Sequence, residues 1–166
     1  MIIGIMGKAR AGKDTLADLM KEELERKDKS VIILRFADLL KWIAEKEYGW
    51  DGSKDEKGRD LLIQASKDIK AEDDNFFLDY VMMLIKVLYF NMDFVIITDV
   101  RYKIEYDRIK TTKNYKFIRI RGLNQLNLDD ESETQLDNHS VDLYVNNFGT
   151  MNDLKIRAKY LVEEVL

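Results

Sequence analysis

The chain has 166 residues, of which 46% are hydrophobic and 35% charged, a composition typical of one globular domain with a sizeable core. It contains no cysteine, which excludes disulfides, thiolate zinc sites and cysteine nucleophiles. The net charge of −4 argues against a nucleic-acid partner, and the longest apolar run, residues 76–90, is too short to cross a membrane and carries charged side chains.

The apolar residues 1–6 predict a buried strand, and they lack the basic leader of a signal peptide. Short apolar runs predict further strands at residues 30–36, 93–100, 115–121 and 141–145. Helical periodicity predicts helices at residues 14–26, 38–47, 59–70, 73–90 and 104–110. The helix at 73–90 is apolar almost all round, which predicts full burial.

A last helix is predicted to start at Thr150, because Asp153 three places on resembles a capping box. Its periodicity predicts an inward face made of apolar residues. These are Met151, Leu154, Ala158, Leu161, Val162 and Val165.

Strands separated by helices favour parallel pairing through right-handed crossovers. We therefore expect an α/β fold, a three-layer α/β/α sandwich around a five-stranded, mostly parallel sheet. Ligands of such sheets bind beyond the carboxyl ends of the strands. Three charged features fall at those ends, at residues 7–15, 99–101 and 119–122.

The first feature matches a glycine-rich phosphate loop, G-x-x-x-x-G-K, between a predicted strand and a predicted helix. Gly7 and Gly12 let backbone N–H groups converge on an anion, and Lys13 can reach the β- and γ-phosphates. Asp14 stands where the usual pattern has serine or threonine, and its carboxylate could hold Mg²⁺ directly or through water. Thr15 could bond an α-phosphate. The alternative is an ordinary strand–helix turn.

Two further cations, Lys8 and Arg10, lie inside this loop and either contact a highly charged substrate or face solvent. Asp99 ends an apolar strand, as does the aspartate that orients Mg²⁺ in phosphate-loop proteins, although such an aspartate can also cap the next helix. Arg101 is placed to clamp a phosphate, or to form a surface ion pair with Glu105 or Asp107.

The third feature is a pair of arginines, Arg119 and Arg121, which alternate with isoleucines and so face one side of their strand. They lead into an acidic stretch at residues 129–133, which is either part of a mobile lid or a solvated loop. His139, the single histidine, is expected to be structural or exposed rather than catalytic.

Together these segments resemble the phage-type deoxynucleoside monophosphate kinases, within the P-loop nucleotide kinases. The resemblance spans nearly the whole chain. The aspartate after the loop lysine is also shared with animal-type phosphomevalonate kinases. The matching segments are Gly12-Lys13-Asp14-Thr15 with Leu16-Ala17-Asp18, Phe36-Ala37-Asp38 with Leu40-Lys41, Thr98-Asp99-Val100-Arg101-Tyr102 with Glu105, and Ile118-Arg119-Ile120-Arg121 with Ser132-Glu133 and Leu136-Asp137.

The resemblance implies a single P-loop kinase domain over residues 1–166, with a helical acceptor-binding region around 37–90 and a lid around 122–140. It implies that ATP and Mg²⁺ are used to phosphorylate a deoxynucleoside monophosphate in the cytoplasm, the host cytoplasm for a phage enzyme. A homodimer is left open. ATP phosphates would be held by Gly7, Lys8, Arg10, Ala11, Gly12, Lys13, Asp14 and Thr15, and the acceptor by Asp38, Lys41, Arg59, Gln64 and Arg101. Ser66 and Lys70 stand where glycine and arginine are expected, so the acceptor base stays open.

In-line phosphoryl transfer depends on positioning and charge neutralisation. We expect Asp14 and Asp99 to orient Mg²⁺, and Lys13 to neutralise the moving group together with Arg101, Arg119 and Arg121. The alternatives are a kinase of another phosphorylated small molecule, such as phosphomevalonate, and a nucleotide-binding module without turnover. A GTPase switch is disfavoured because no Asn-Lys-x-Asp sequence is present.

Overall fold

The computed structural model describes residues 1–53, 55–88, 90–123, 125 and 134–166. The chain divides into two compact units, one made of residues 1–34 and 88–166, the other of residues 35–87. None of the helices in these ranges is both long and apolar enough to cross a bilayer.

The first unit is built on a five-stranded sheet, formed by β1 (Ile2–Met6), β2 (Val31–Leu34), β3 (Phe94–Ile97), β4 (Tyr115–Gly122) and β5 (Leu143–Asn147). The strand order is β2-β3-β1-β4-β5, and every neighbouring pair is parallel. The predicted α/β fold with its five strands is therefore confirmed, and the sheet is parallel throughout.

Helices cover both faces of this sheet. One face of β1 and β4 packs against α1 (Lys13–Glu25) and α6 (Met151–Val165), where Ile3, Leu16 and Val162 are fully buried. The opposite face meets α5 (Lys103–Lys110), whose Tyr106 ring stacks on Phe117 with centroids 4.4 Å apart. Because side chains alternate along a strand, β4 buries Phe117 on one face of the sheet and Ile118 and Ile120 on the other, as an interior strand of a covered sheet requires.

The second unit contains α2 (Phe36–Glu47), α3 (Glu56–Glu72) and nearly all of α4 (Phe76–Leu88). Helix α4 was expected to be buried all round, and this expectation is wrong. Val81 and Ile85 are buried, whereas Met83 and Val87 are 51% and 63% exposed. An apolar composition indicates that a helix can be buried, but it does not show how many sides are covered.

Two other expectations are corrected. The last strand, expected at residues 141–145, runs from Leu143 to Asn147, because Asp142 instead binds the Phe117 main chain and the polar end of the strand pairs with Arg121 and Gly122. Pairing of main-chain groups needs no apolar side chain at an outer strand.

Met151, expected to face inward on α6, is 56% exposed in the first turn of that helix.

The predicted capping box of α6 is present. The Asp153 N–H donates to Thr150 Oγ1 at 3.3 Å, and the Thr150 N–H donates to Asp153 Oδ2 at 2.7 Å.

We expect Thr150→Ala to lower the free energy of unfolding by about 1 kcal/mol, because an N–H of the first turn loses its acceptor. Urea unfolding followed by circular dichroism measures the effect. Thr150→Ser keeps the acceptor and should match wild type; equal losses in both variants would contradict the capping role.

Candidate phosphate-binding site

The loop between β1 and α1 has the backbone shape of an anion-binding nest. Gly12 and Arg10 adopt left-handed conformations, with φ of 101° and 62°. A Cβ on Gly12 would lie 2.6 Å from Asn147 Nδ2, and one on Gly7 would lie 2.5 Å from the Ile120 carbonyl oxygen. Such turns point successive N–H groups into one concavity, which favours an anion. Both loop positions therefore require glycine.

Lys13 lies across this loop. Its ammonium donates to the carbonyl oxygens of Gly7 at 2.5 Å and Lys8 at 2.9 Å, and the residue is 9% exposed. An ammonium has three donors and no acceptor, so an arriving phosphate would exchange with these carbonyls for the same N–H groups. Lys13 therefore begins α1, and its ammonium lies over the loop. Its contact with phosphate stays a prediction.

The loop is also held from the far side of the sheet. Asn147, at the end of β5, donates from Nδ2 to the Ala11 carbonyl at 3.1 Å. Because Ala11 is fully buried, this hydrogen bond holds the loop main chain at a point that is closed to solvent. The sequence analysis missed Asn147. Its signal was available, because two polar residues, Asn146 and Asn147, end an otherwise mixed strand at the ligand-binding edge of the sheet.

A cationic cavity of about 250 Å³ opens beside the loop. Its described lining includes Lys8, Arg101, Arg119 and Arg121, with one carboxylate, Asp137. Four cations around one small cavity suit a phosphate, and arginine can bind it through two parallel hydrogen bonds. The structure therefore brings together the three predicted arginines and one of the two extra cations of the loop.

Arg119 is anchored to the main chain. Its guanidinium donates to the carbonyl oxygens of Leu136 and Asp137, both at 2.6 Å, and of His139 at 2.9 Å. The side chain is 9% exposed and still lines the cavity. Its described hydrogen bonds hold residues 136–139 against β4. A direct role in transfer stays a prediction.

The anchored segment reaches back to the loop through an ion pair. Lys8 Nζ lies 3.3 Å from Asp137 Oδ2, and both side chains are partly exposed. Close by, the His139 ring packs edge-on against Tyr106, with centroids 5.1 Å apart, which favours the structural interpretation of this histidine.

The predicted lid over 122–140 falls only partly on described residues. Its acidic stretch, 129–133, lies outside them, so the lid stays a prediction.

Arg101 follows β3 and faces the cavity. Glu105 and Asp107 are the two carboxylates that the sequence suggests as its surface partners. Glu105, 8% exposed, accepts from the backbone N–H groups of Arg101 at 2.8 Å and Tyr102 at 3.0 Å and so caps α5. Asp107 pairs with Lys103, and this hydrogen bond lowers the pKa of the Asp107 carboxyl. The phosphate role of Arg101 stays a prediction.

Asp14 and Asp99 are the predicted metal ligands. Asp14 is exposed in the first turn of α1, and its Oδ1 accepts a hydrogen bond of 2.8 Å from Thr98 Oγ1; Asp99 follows Thr98 at the same end of β3. Two carboxylates fit Mg²⁺, which is held by few protein oxygens and keeps waters or takes substrate phosphates at its other positions. The described residues contain no cluster of three or more His, Cys, Asp or Glu arranged for a metal, so the metal site stays a prediction.

The predicted acceptor residues other than Arg101 lie in the second unit. Asp38 is near Lys41, at 3.7 Å, and Gln64 donates to Asp68 at 2.7 Å; Arg59 is exposed on α3. Asp68 also accepts from the Tyr48 hydroxyl at 3.2 Å, so it ties the end of α2 to α3. Roles in binding an acceptor remain predictions for these residues.

The anchoring role of Arg119 makes a stability prediction. Arg119→Ala should lower the free energy of unfolding by roughly 3 kcal/mol, because three carbonyls lose a charged donor. Arg121→Ala, two residues along the same strand and exposed, should change it by no more than about 0.5 kcal/mol. Urea denaturation of both variants provides the measurement. Similar losses for the two arginines would refute the anchoring role.

Comparison with known proteins places this geometry in a family. A family model described as phosphomevalonate kinase matches residues 5–116. No curated protein matches the chain significantly.

Similar solved structures share the fold at low identity. APS kinase of Mycobacterium tuberculosis is 12% identical, with 98% of this chain and 96% of that chain covered and a TM-score of 0.50. APE1195 is 13% identical, with 99% and 96% covered and a TM-score of 0.57. A candidate kinase of Chloroflexus aurantiacus is 11% identical, with 99% and 97% covered and a TM-score of 0.53. These structures support the α/β fold, and the family model covers well over half of the sequence, phosphate loop included: the chain belongs to the phosphomevalonate kinase family.

Proposed function

We propose that this chain transfers the γ-phosphoryl group of ATP to the phosphate of a deoxynucleoside monophosphate. Its family and fold support the coarser statement that it is a phosphotransferase of the P-loop kinase type. The observation that carries phosphoryl transfer to an acceptor phosphate is the cationic cavity beside the phosphate loop, whose described lining includes Lys8, Arg101, Arg119 and Arg121. A protein that only held a nucleotide would need the loop but not this second cationic site.

The residues divide the work between donor and acceptor. The loop amides and Lys13 bind the donor phosphates, since the helix N-terminus and the ammonium both favour negative charge there. Arg101 and Arg121 bind the acceptor phosphate, and Arg119 adds a positive charge whose position is set by the carbonyls it binds. Charge is neutralised by groups already in place, which is what a loose phosphoryl transition state requires.

Asp14 and Asp99 would hold Mg²⁺ at the edge of the loop. When bound, the ion neutralises phosphate charge and favours departure of the diphosphate. The chain's own contribution is a carboxylate in the first turn of α1, Asp14, and a second one, Asp99, just after β3.

A nucleotide acceptor is favoured by the four segments that resemble the phage-type deoxynucleoside monophosphate kinases, since that resemblance spans nearly the whole chain.

Phosphomevalonate is the second candidate acceptor, and the family model favours it. The cationic cavity suits the phosphate of either acceptor, since the four cations of its described lining favour negative charge. The two candidates therefore differ at the part of the acceptor that lies away from the phosphate.

Release of ADP, measured by a coupled assay with ATP and Mg²⁺, tests the proposal against each deoxynucleoside and ribonucleoside monophosphate and against phosphomevalonate. We expect turnover with at least one deoxynucleoside monophosphate, and its loss in Lys13→Met, because that variant removes the ammonium over the loop. Lys113→Met, an exposed lysine before β4, is the matched control and should retain activity.

Turnover with phosphomevalonate alone would replace the proposed acceptor with the second candidate. ATP binding without turnover of any acceptor would leave a binding module. Full activity in Lys13→Met would remove the loop from the mechanism.

A further inference from the structure

Thr98 connects two segments that are distant in the sequence. It follows β3, is 1% exposed, and donates its hydroxyl to Asp14 Oδ1 at 2.8 Å across 84 residues of chain. Thr98 itself is held by the sheet, because its N–H donates to the Leu34 carbonyl at 3.3 Å and β3 pairs with β1 and β2 on either side. The donor is therefore fixed, and the carboxylate is the group that is oriented.

The position of this contact is informative. The residue after the loop lysine is commonly serine or threonine, a small hydroxyl whose oxygen contacts Mg²⁺. Asp14 stands there instead, with a longer side chain that rotates about χ1 and χ2. Its exposed position in the first turn of α1 makes it accessible to a ligand. A carboxylate at that place needs a partner that limits its rotation before it can present an oxygen reproducibly to a cation.

We propose that Thr98 is a positioning residue for the divalent cation: its hydroxyl turns the Asp14 carboxylate so that this carboxylate, rather than a loop hydroxyl, meets the metal that accompanies the nucleotide. The inference rests on the proposed function. It assigns Thr98 no contact with substrate. Hydrogen bonds to a ligating carboxylate typically contribute 10- to 100-fold in metal affinity.

A purely structural role predicts something different. If the hydroxyl only joined α1 to β3, its loss would lower the stability of the fold. It would also weaken nucleotide binding by the same factor with metal and without metal. A positioning role affects the metal selectively. Three variants separate these roles: Thr98→Val, which keeps the shape and loses the donor; Thr98→Ser, which keeps the donor; and Thr112→Val, which removes a hydroxyl that binds the Ile109 carbonyl outside the site.

The experiment measures Mn²⁺ affinity by electron paramagnetic resonance in the presence of AMPPNP, a non-hydrolysable ATP analogue. Binding of AMPPNP in EDTA is measured separately by calorimetry. We expect Thr98→Val to weaken Mn²⁺ binding by about tenfold and to leave metal-free AMPPNP binding unchanged. Thr98→Ser and Thr112→Val should behave as wild type. In an Asp14→Asn background, Thr98→Val should add no further loss, because the oriented group is already gone.

The outcomes are distinguishable. Unchanged Mn²⁺ affinity in Thr98→Val, or an equal loss of metal-free AMPPNP binding, overturns the positioning role while leaving the proposed function intact. An equal loss in Thr98→Ser overturns it as well. Failure of the wild-type protein to bind AMPPNP at all removes the proposed function and this inference with it. Should Thr98→Val not fold, Thr98→Ala removes the same donor without adding a methyl group and decides the question.

Discussion

The parallel pairing of β1 with both β3 and β4 is the constraint on which the site depends. Gly4 pairs with Ile97 and Met6 pairs with Arg119, so the three strands end at one edge of the sheet. The phosphate loop continues β1, Thr98 and Asp99 continue β3, and the two arginines lie in the second half of β4. A slip of one residue in the pairing of β1 with β4 would send the alternating side chains of β4 to the opposite face. The register of β4 against β1 therefore determines on which face of the sheet Arg119 and Arg121 lie.

The local parts of this arrangement could be predicted from sequence. Short apolar runs give the strands, glycine spacing gives the loop, and a threonine three residues before an aspartate gives the start of α6. Each of these sequence signals lies within a few neighbouring residues. Parallel pairing follows from helices between strands, because a right-handed crossover returns the chain in the same direction.

The remaining parts could not be predicted because their contacts are distant and often involve the main chain. Arg119 binds three carbonyl groups, and a carbonyl has the same chemistry in every residue, so the sequence carries no sign of the acceptors. The pairing of Thr98 with Asp14 and of Asn147 with Ala11 depends on which strands become neighbours. Exposure of Met83 and Val87 depends likewise on what packs beside α4. The metal ligands and the acceptor residues of the second unit stay predictions.

The support of the loop by Asn147 has a thermal consequence. Strand β5 is at the edge of the sheet, paired on one side only, and the outer strands of a sheet open at lower free energy cost than its centre. When β5 frays, Ala11 loses the amide beneath it, although β1 and α1 remain folded. Warming would then inactivate the protein at temperatures where the central strands still resist hydrogen exchange, so that the loss of catalysis would precede the melting of the molecule.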